Sequence, residues 1–335
     1  MEQKTIRHIT IESVGSFVPA RRVTNDELAK TVDTSDEWIR SHTGIGARHL
    51  AENDVATSDL AVNAALDAIE RSDLTVEDID GIIIATATPD HVGFPSTACI
   101  VQQKLGLIGV PAFDVVAGCT GFIYGIEVAR GMILAGTMKN VLMIGAEKLS
   151  SIVNWNDRNT CVLFGDGAGC AIVSIEDEQA PDRGIEDTIL YADGSGADCL
   201  MVPGGGSKEP LRDRDVTVED VTLTMDGRKV YNFAVKQLSE MTKNLMERNG
   251  LTIDDVDMII PHQANNRIIQ AAAKRLKISP EKVFVNIEDY ANTSAASIPI
   301  ALKTLEDQGR LKRGDRIIIV GFGAGLTSGG SLIVW

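Results

Sequence analysis

Apolar residues along the chain fall into two alternating kinds of segment. Short uninterrupted runs read as buried strands: Ile9 to Val18, the stretch inside Leu74 to Asp90 (LTVEDIDGIIIATATPD), and Phe113 to Ala117 with its two consecutive valines. Elsewhere apolar positions recur at helical spacing, as in Thr57 to Arg71 and in Phe122, Ile126, Ala129 and Ile133, which share one helix face. Thr24-Asn25-Asp26-Glu27 and Thr34-Ser35-Asp36-Glu37 have the polar-then-acidic order of capped helix starts, the second leading into Trp38. Strands alternating with helices predict an α/β fold with mostly parallel sheets, whose ligands collect beyond the carboxyl ends of strands. Cys119 follows Phe113–Ala117, His262 follows Met258–Ile260, and Asn292 follows the β-like run Val283–Ile287. All three side chains are thus expected at strand exits.

The pattern repeats. Leu74–Asp80 (LTVEDID) and Leu251–Asp257 (LTIDDVD) agree by identity or conservative change, and each precedes a short apolar strand. Val162–Ser174 (VLFGDGAGCAIVS) and Ile319–Val334 (IVGFGAGLTSGGSLIV) both read as strand, Gly-x-Gly-x-Gly turn, strand. Two echoes in the same order imply a duplicated α/β unit, with halves at residues 1–176 and 177–335 and a polar joint at Glu176–Gly184. Neither glycine turn matches a P-loop, and both are read as close-packing turns. Leu200–Asp220, glycine-rich and charged, is read as a surface excursion.

A chain of 335 residues is long enough for two such halves. Its 32 Lys and Arg against 47 Asp and Glu give a net charge of −15, which disfavours nucleic acid or an anionic membrane as a partner. No apolar run has the length of a membrane span, and Met1–Thr10 has no apolar signal region, so a cytoplasmic location is expected. The five cysteines are odd in number and lack CxxC pairing, which argues against a disulfide framework or a zinc site.

Gly118-Cys119-Thr120-Gly121 places a cysteine between a strand and a helix start. Free N–H groups and the helix dipole there favour a thiolate, the reactive form. His262 alone would read as a cap or surface residue, and Asn292 alone as an N-cap.

Taken together, TSDEWI at 34–39, the Cys119 elbow, FGDGAG at 164–169, HQAN at 262–265 and NTSAAS at 292–297 resemble the 3-oxoacyl-[acyl-carrier-protein] synthase III family over nearly the whole chain. The resemblance implies a thiolase-like fold of duplicated α/β halves in a layered αβαβα arrangement. It implies an acyltransferase that condenses a short acyl-CoA primer with malonyl-ACP, starting fatty acid biosynthesis, as a homodimer and with no cofactor or metal. It implies Cys119 as nucleophile, His262 and Asn292 as donors to the malonyl thioester carbonyl, and backbone N–H groups of Cys119 and of Ala324, in the turn Gly323-Ala324-Gly325, as oxyanion hole. Trp38, Arg158, Asn265 and Gly227 would bind CoA, Phe94 and Phe322 would shape the acyl pocket, and Arg267, Lys274 and Arg275 would meet the acidic carrier protein. Phe94 would reach across to the partner's tunnel.

The chain departs from the family pattern at Gly118, Ala291, Ala324, Ser328, His42 and Gly46, which bears on the acyl pocket and on CoA phosphate binding. The alternatives are a specialised thiolase-fold acyltransferase or secondary-metabolite condensing enzyme, and a Cys-His-Asn thioester hydrolase.

Overall fold

A computed structural model gives the structure of residues 8–175 and 183–335. Most of the expected joint at Glu176–Gly184 and most of Met1–Thr10 fall outside the described residues.

One sheet is built from β1 (Ile9–Phe17), β2 (Gly81–Ala85), β3 (Ala112–Val115), β4 (Asn140–Glu147) and β5 (Gly167–Ile175), in the order β1-β5-β4-β2-β3. A second holds β6 (Gly184–Ala192), β7 (Met258–Pro261), β8 (Arg316–Gly323) and β9 (Thr327–Val334), in the order β7-β8-β9-β6. The pairings correspond: β1-β5 and β5-β4 are antiparallel like β6-β9 and β9-β8, while β4-β2 is parallel like β8-β7. Where β3 runs parallel beside β2, a bridge from Val283 runs parallel beside Ile259 of β7.

The seven-residue echo is visible down to single hydrogen bonds. Asp78 accepts from the Thr75 amide and hydroxyl at 2.8 Å each, and Asp255 accepts from the Thr252 amide and hydroxyl at 2.8 and 2.7 Å. Each capping box turns the chain into a buried strand of its own sheet.

Between the sheets lie α4 (Gly121–Leu134) and α7 (Ser297–Asp307). Their apolar faces share one core with residues of both sheets, among them Phe122, Ile126, Ile298, Ile83, Val14, Ile319 and Ile333. Outside the first sheet pack α2 (Thr57–Glu70) and α3 (Thr97–Lys104); outside the second pack α5 (Gly227–Arg248) and α6 (Asn266–Leu276). With α1 (Asp36–Thr43), capped by the Ser35 hydroxyl, these are the helices of eight residues or more among the described residues. The result is the five-layer αβαβα stack.

Four expectations change. The two sheets, expected to be mostly parallel, are mixed, with four antiparallel strand pairs against three parallel ones among the described residues. Phe113–Ala117 was expected to be buried; β3 is instead a half-buried strand at the open edge of its sheet. Val162–Gly165 is not a strand, because a helical turn at Arg158–Cys161 leads into a loop; β4 takes the place beside β5 that the glycine echo gave to that segment. Of Val283–Ile287 only Val283 forms a bridge, and Ile287–Tyr290 is a helical turn.

Small residues set the spacing. A methyl placed on Gly145 in β4 would lie 2.2 Å from the Ala295 carbonyl oxygen, and one on Gly169 in β5 would lie 2.7 Å from Pro299. The segment around residues 292–299 therefore rests directly on the first sheet. Gly145→Ala should force that segment away and cost about 1–3 kcal/mol, read as a lower denaturant midpoint.

Candidate active site

Cys119 sits in a 3₁₀ turn (Gly118–Thr120) between β3 and α4. Gly118 has φ of 52°, a left-handed value that suits glycine. The turn is tied to β9 and the preceding hairpin by Thr327 Oγ1, which lies 2.6 Å from Thr120 Oγ1 and donates to the carbonyl of Ala117 or Ala324, 3.0 Å from each. A methyl on Gly323 would lie 2.6 Å from the Cys119 nitrogen, and one on Gly118 would lie 2.8 Å from the Ala324 nitrogen and 3.2 Å from the Ala324 Cβ. The N–H groups of Cys119 and Ala324 are thus brought together at the elbow, and neither donates to a backbone carbonyl.

His262 follows β7 and is fully buried, so it is neither cap nor surface residue. Its Nδ1 lies 2.7 Å from the Ser297 hydroxyl at the start of α7, while its Nε2 has no hydrogen-bond partner. Its ring packs edge-on against Phe322, 5.4 Å between centroids. Asn292 does not cap a helix; its Oδ1 accepts from the Ser294 amide at 2.9 Å, which leaves the amide hydrogens of Nδ2 free to donate. Ser297 was missed as a site residue because nothing in sequence spacing links it to His262, 35 residues earlier.

Cys119, His262 and Asn292 line one cavity of about 400 Å³. Trp38, Gly227, Asn265, Arg267, Phe322 and Gly323 share its walls. Asn265 caps α6 by accepting from the Arg267 amide and donates to the His42 carbonyl, at 2.8 and 3.1 Å. Arg158 does not line the cavity, but its guanidinium lies 4.9 Å from the centroid of Trp38. His42 stacks on that same ring at 4.4 Å. Arg267, Lys274 and Arg275 are exposed on α6. Phe94 is 88 % exposed and lies outside this cavity, so within its own protomer it bounds no acyl site.

The electrostatics correct one expectation. Burial pushes the Cys119 thiol up to about 12, so in the free protein it is a thiol despite the helix behind it. Burial also pulls His262 down to about 3, so the imidazole is neutral. Cys119, His262 and Asn292 are thus all uncharged in the free protein.

Comparison with known proteins fits this geometry. Residues 113–194 match the family described as 3-oxoacyl-[acyl-carrier-protein (ACP)] synthase III, and residues 246–335 match its C-terminal counterpart. A β-ketoacyl-[acyl-carrier-protein] synthase III of Caldanaerobacter subterraneus subsp. tengcongensis is 51 % identical over 97 % of each chain. The chain belongs to the β-ketoacyl-ACP synthase III family. A relative of that name from Clostridioides difficile is 48 % identical over 97 % of this chain and 98 % of its own. The crystal structure of 3-oxoacyl-[acyl-carrier-protein] synthase III from Aquifex aeolicus VF5 superposes with a TM-score of 0.88 at 44 % identity, covering 98 % of this chain and 100 % of that one. The five-layer stack is accordingly the thiolase-like fold, and the chain is a condensing enzyme of the acyltransferase class. Among its described residues no helix is long and apolar enough to cross a membrane.

One departure from the family pattern now has a physical meaning. Ala291, fully buried, holds φ of 56° and ψ of −159°, a region that is essentially glycine's own and costs other residues about 1–3 kcal/mol. Ala291→Gly should raise unfolding stability by about 1 kcal/mol, measured by denaturant melts. The lowered His262 gives a second expectation. Between its ordinary value of 6.5 and about 3 the unfolded chain holds the imidazole proton and the folded chain does not. Its contribution to stability is therefore full above pH 6.5 and is lost as pH falls through that window; melts at pH 7.5 and 5 on wild type and His262→Gln should differ in slope accordingly.

Proposed function

We propose that this chain joins a short acyl-CoA primer to malonyl-ACP by decarboxylative Claisen condensation, the opening step of fatty acid biosynthesis, through an acyl-Cys119 intermediate. The observation that carries the reading is the convergence of Cys119, His262 and Asn292 on one cavity whose wall includes Trp38, Asn265 and Arg267. The Cys119 sulfur attacks the acyl-CoA carbonyl, the carbon–sulfur bond to CoA breaks, and the thiol proton ends on the departing CoA. Trp38 and Arg158 provide the adenine platform, with Gly227 and Asn265 along the pantetheine. Malonyl-ACP then enters. Its carbon–carboxylate bond breaks, carbon dioxide leaves, and the electron pair becomes an enolate.

Two neutral donors suffice for that oxyanion. The Ser297 oxygen already accepts from the Gln263 amide at 3.3 Å, so its hydroxyl proton is free to go to His262 Nδ1. That network puts the ring proton on Nε2, facing the cavity beside Asn292. The enolate carbon attacks the acyl-Cys119 carbonyl, the N–H groups of Cys119 and Ala324 hold the tetrahedral oxyanion, and the thiolate departs.

The same reading makes the protein a cytoplasmic homodimer of two halves, 1–176 and 177–335. Val92, Phe94, Ile108 and Val116, each at least 80 % exposed, cluster in sequence around the open edge strand β3, a face suited to a second copy; Phe94 would then close the partner's acyl tunnel. The exposed Arg267, Lys274 and Arg275 would meet the acidic carrier protein.

Intact mass after mixing with acetyl-CoA should show an acetyl adduct, absent in Cys119→Ala; an adduct surviving that substitution removes Cys119 from the mechanism. His262→Ala should keep the adduct but lower condensation by about 10²–10³. A ketoacyl thioester as product supports condensation, and a free acid supports hydrolysis.

A further inference from the structure

A buried cation lies one chain segment away from Asn292 and has no part in the chemistry above. Arg48 has no solvent exposure. Its Nη1 donates to Asn25 Oδ1 at 2.8 Å and its Nη2 to the Val162 carbonyl at 2.9 Å, while its Nε is buried without a hydrogen-bond partner. Both acceptors are neutral. Burial pulls the guanidinium down to about 10, so it is still a cation at neutral pH. A charge held in this way is costly.

One end of the fork is itself anchored. Asn25 is buried, and its amide donates to Asp36 Oδ1 and to the Ile45 carbonyl, at 2.8 Å each. The other end fixes residues 162–165, the loop that enters β5 and supplies Val162, Leu163 and Phe164 to the cavity wall. The same loop seats Asn292. The Asn292 N–H donates to the Leu163 carbonyl at 2.9 Å, and the Asn292 carbonyl accepts from the Gly165 N–H at 3.1 Å. This bridge is isolated, with no strand ladder to extend it, so it is only as firm as the loop.

The stretch at residues 48–49 braces that loop twice more. The Asp166 N–H donates to the His49 carbonyl at 2.8 Å. A methyl on Gly165 would lie 2.8 Å from the Tyr290 carbonyl oxygen and 3.3 Å from Arg48 Cβ. The loop is thus pressed between the arginine stem and the chain leading into Asn292.

We infer that Arg48 is a positioning residue for Asn292: bridging Asn25 and Val162, its guanidinium holds the 162–165 loop, and through the loop it fixes the direction in which the Asn292 amide enters the cavity. A planar fork serves both acceptors at once, which a single ammonium does not. A misplacement of about 1 Å at a reacting centre can cost about 10² in rate. The Cys119 elbow is held separately, by Thr327 and by its contacts with Gly323 and Ala324, so its acylation does not depend on Arg48. The inference rests on Asn292 as a donor in the decarboxylation proposed above.

The test separates two half-reactions in Arg48→Lys, Arg48→Met and Asn292→Ala: acetylation of Cys119 by acetyl-CoA, read by intact mass, and carbon dioxide release from malonyl-ACP by the acetylated enzyme. Both Arg48 variants should acetylate within about threefold of wild type. Carbon dioxide release should fall about tenfold in Arg48→Lys and about 10²-fold in Arg48→Met, in kcat with KM little changed. Arg48→Lys combined with Asn292→Ala should be no slower than Asn292→Ala alone, because the two substitutions remove the same interaction. Additive losses overturn the positioning role, and so does acetylation that falls in parallel. An Arg48→Lys variant that does not fold also overturns it, because Arg48 then supports the fold at large. If Asn292→Ala is slow while both Arg48 variants match wild type, the inference alone fails. If Asn292→Ala leaves carbon dioxide release intact, the proposed role of Asn292 fails and the inference with it.

Discussion

The active site depends on backbone touching backbone where no side chain intervenes. The segment that carries Asn292, Ser294 and Ser297 belongs to the second half of the chain, yet it lies against the first sheet at Gly145 and Gly169. The Cys119 elbow in turn presses on Gly323 and Ala324 of the β8–β9 hairpin. Interiors are packed too densely to absorb an added methyl at such contacts. Cys119, His262, Asn292 and the amides of Cys119 and Ala324 are therefore positioned by how closely two duplicated units can approach.

The same closeness fixes the charge state. Desolvation moves Cys119 up and His262 down, each toward the neutral form. A cluster of side chains that are neutral at rest would suit chemistry whose charge appears only in transit, as in the proposed condensation. Donors fixed in advance act most strongly there, because no solvent dilutes them and none must reorient.

Much of this was legible in the chain. Thr75/Asp78 and Thr252/Asp255 show that a seven-residue echo can report real duplication, because capping boxes are local and each writes itself into adjacent residues. The order of motifs singled out Cys119, His262 and Asn292, and the fold brings these three to one cavity. What sequence could not show was environment. Cys119 was expected as a thiolate because a helix start is a local feature, whereas its burial depends on a hairpin some 200 residues later. Phe113–Ala117 was expected to be buried because its valines are apolar; that β3 sits at a sheet edge is a matter of topology alone. Arg48 and Ser297 carried no signal, since their partners are joined to them only by the fold.

Gly118 and Ala324 illustrate what such tight contacts do over longer times. A methyl on Gly118 would meet both the Ala324 amide nitrogen, at 2.8 Å, and the Ala324 methyl, at 3.2 Å, so each position limits what the other can carry. Neither departure from the usual pattern is then an independent event. A lineage moving between the two arrangements passes most easily through glycine at both sites, so the order of mutations matters, and aligned relatives should show the two positions changing as a pair.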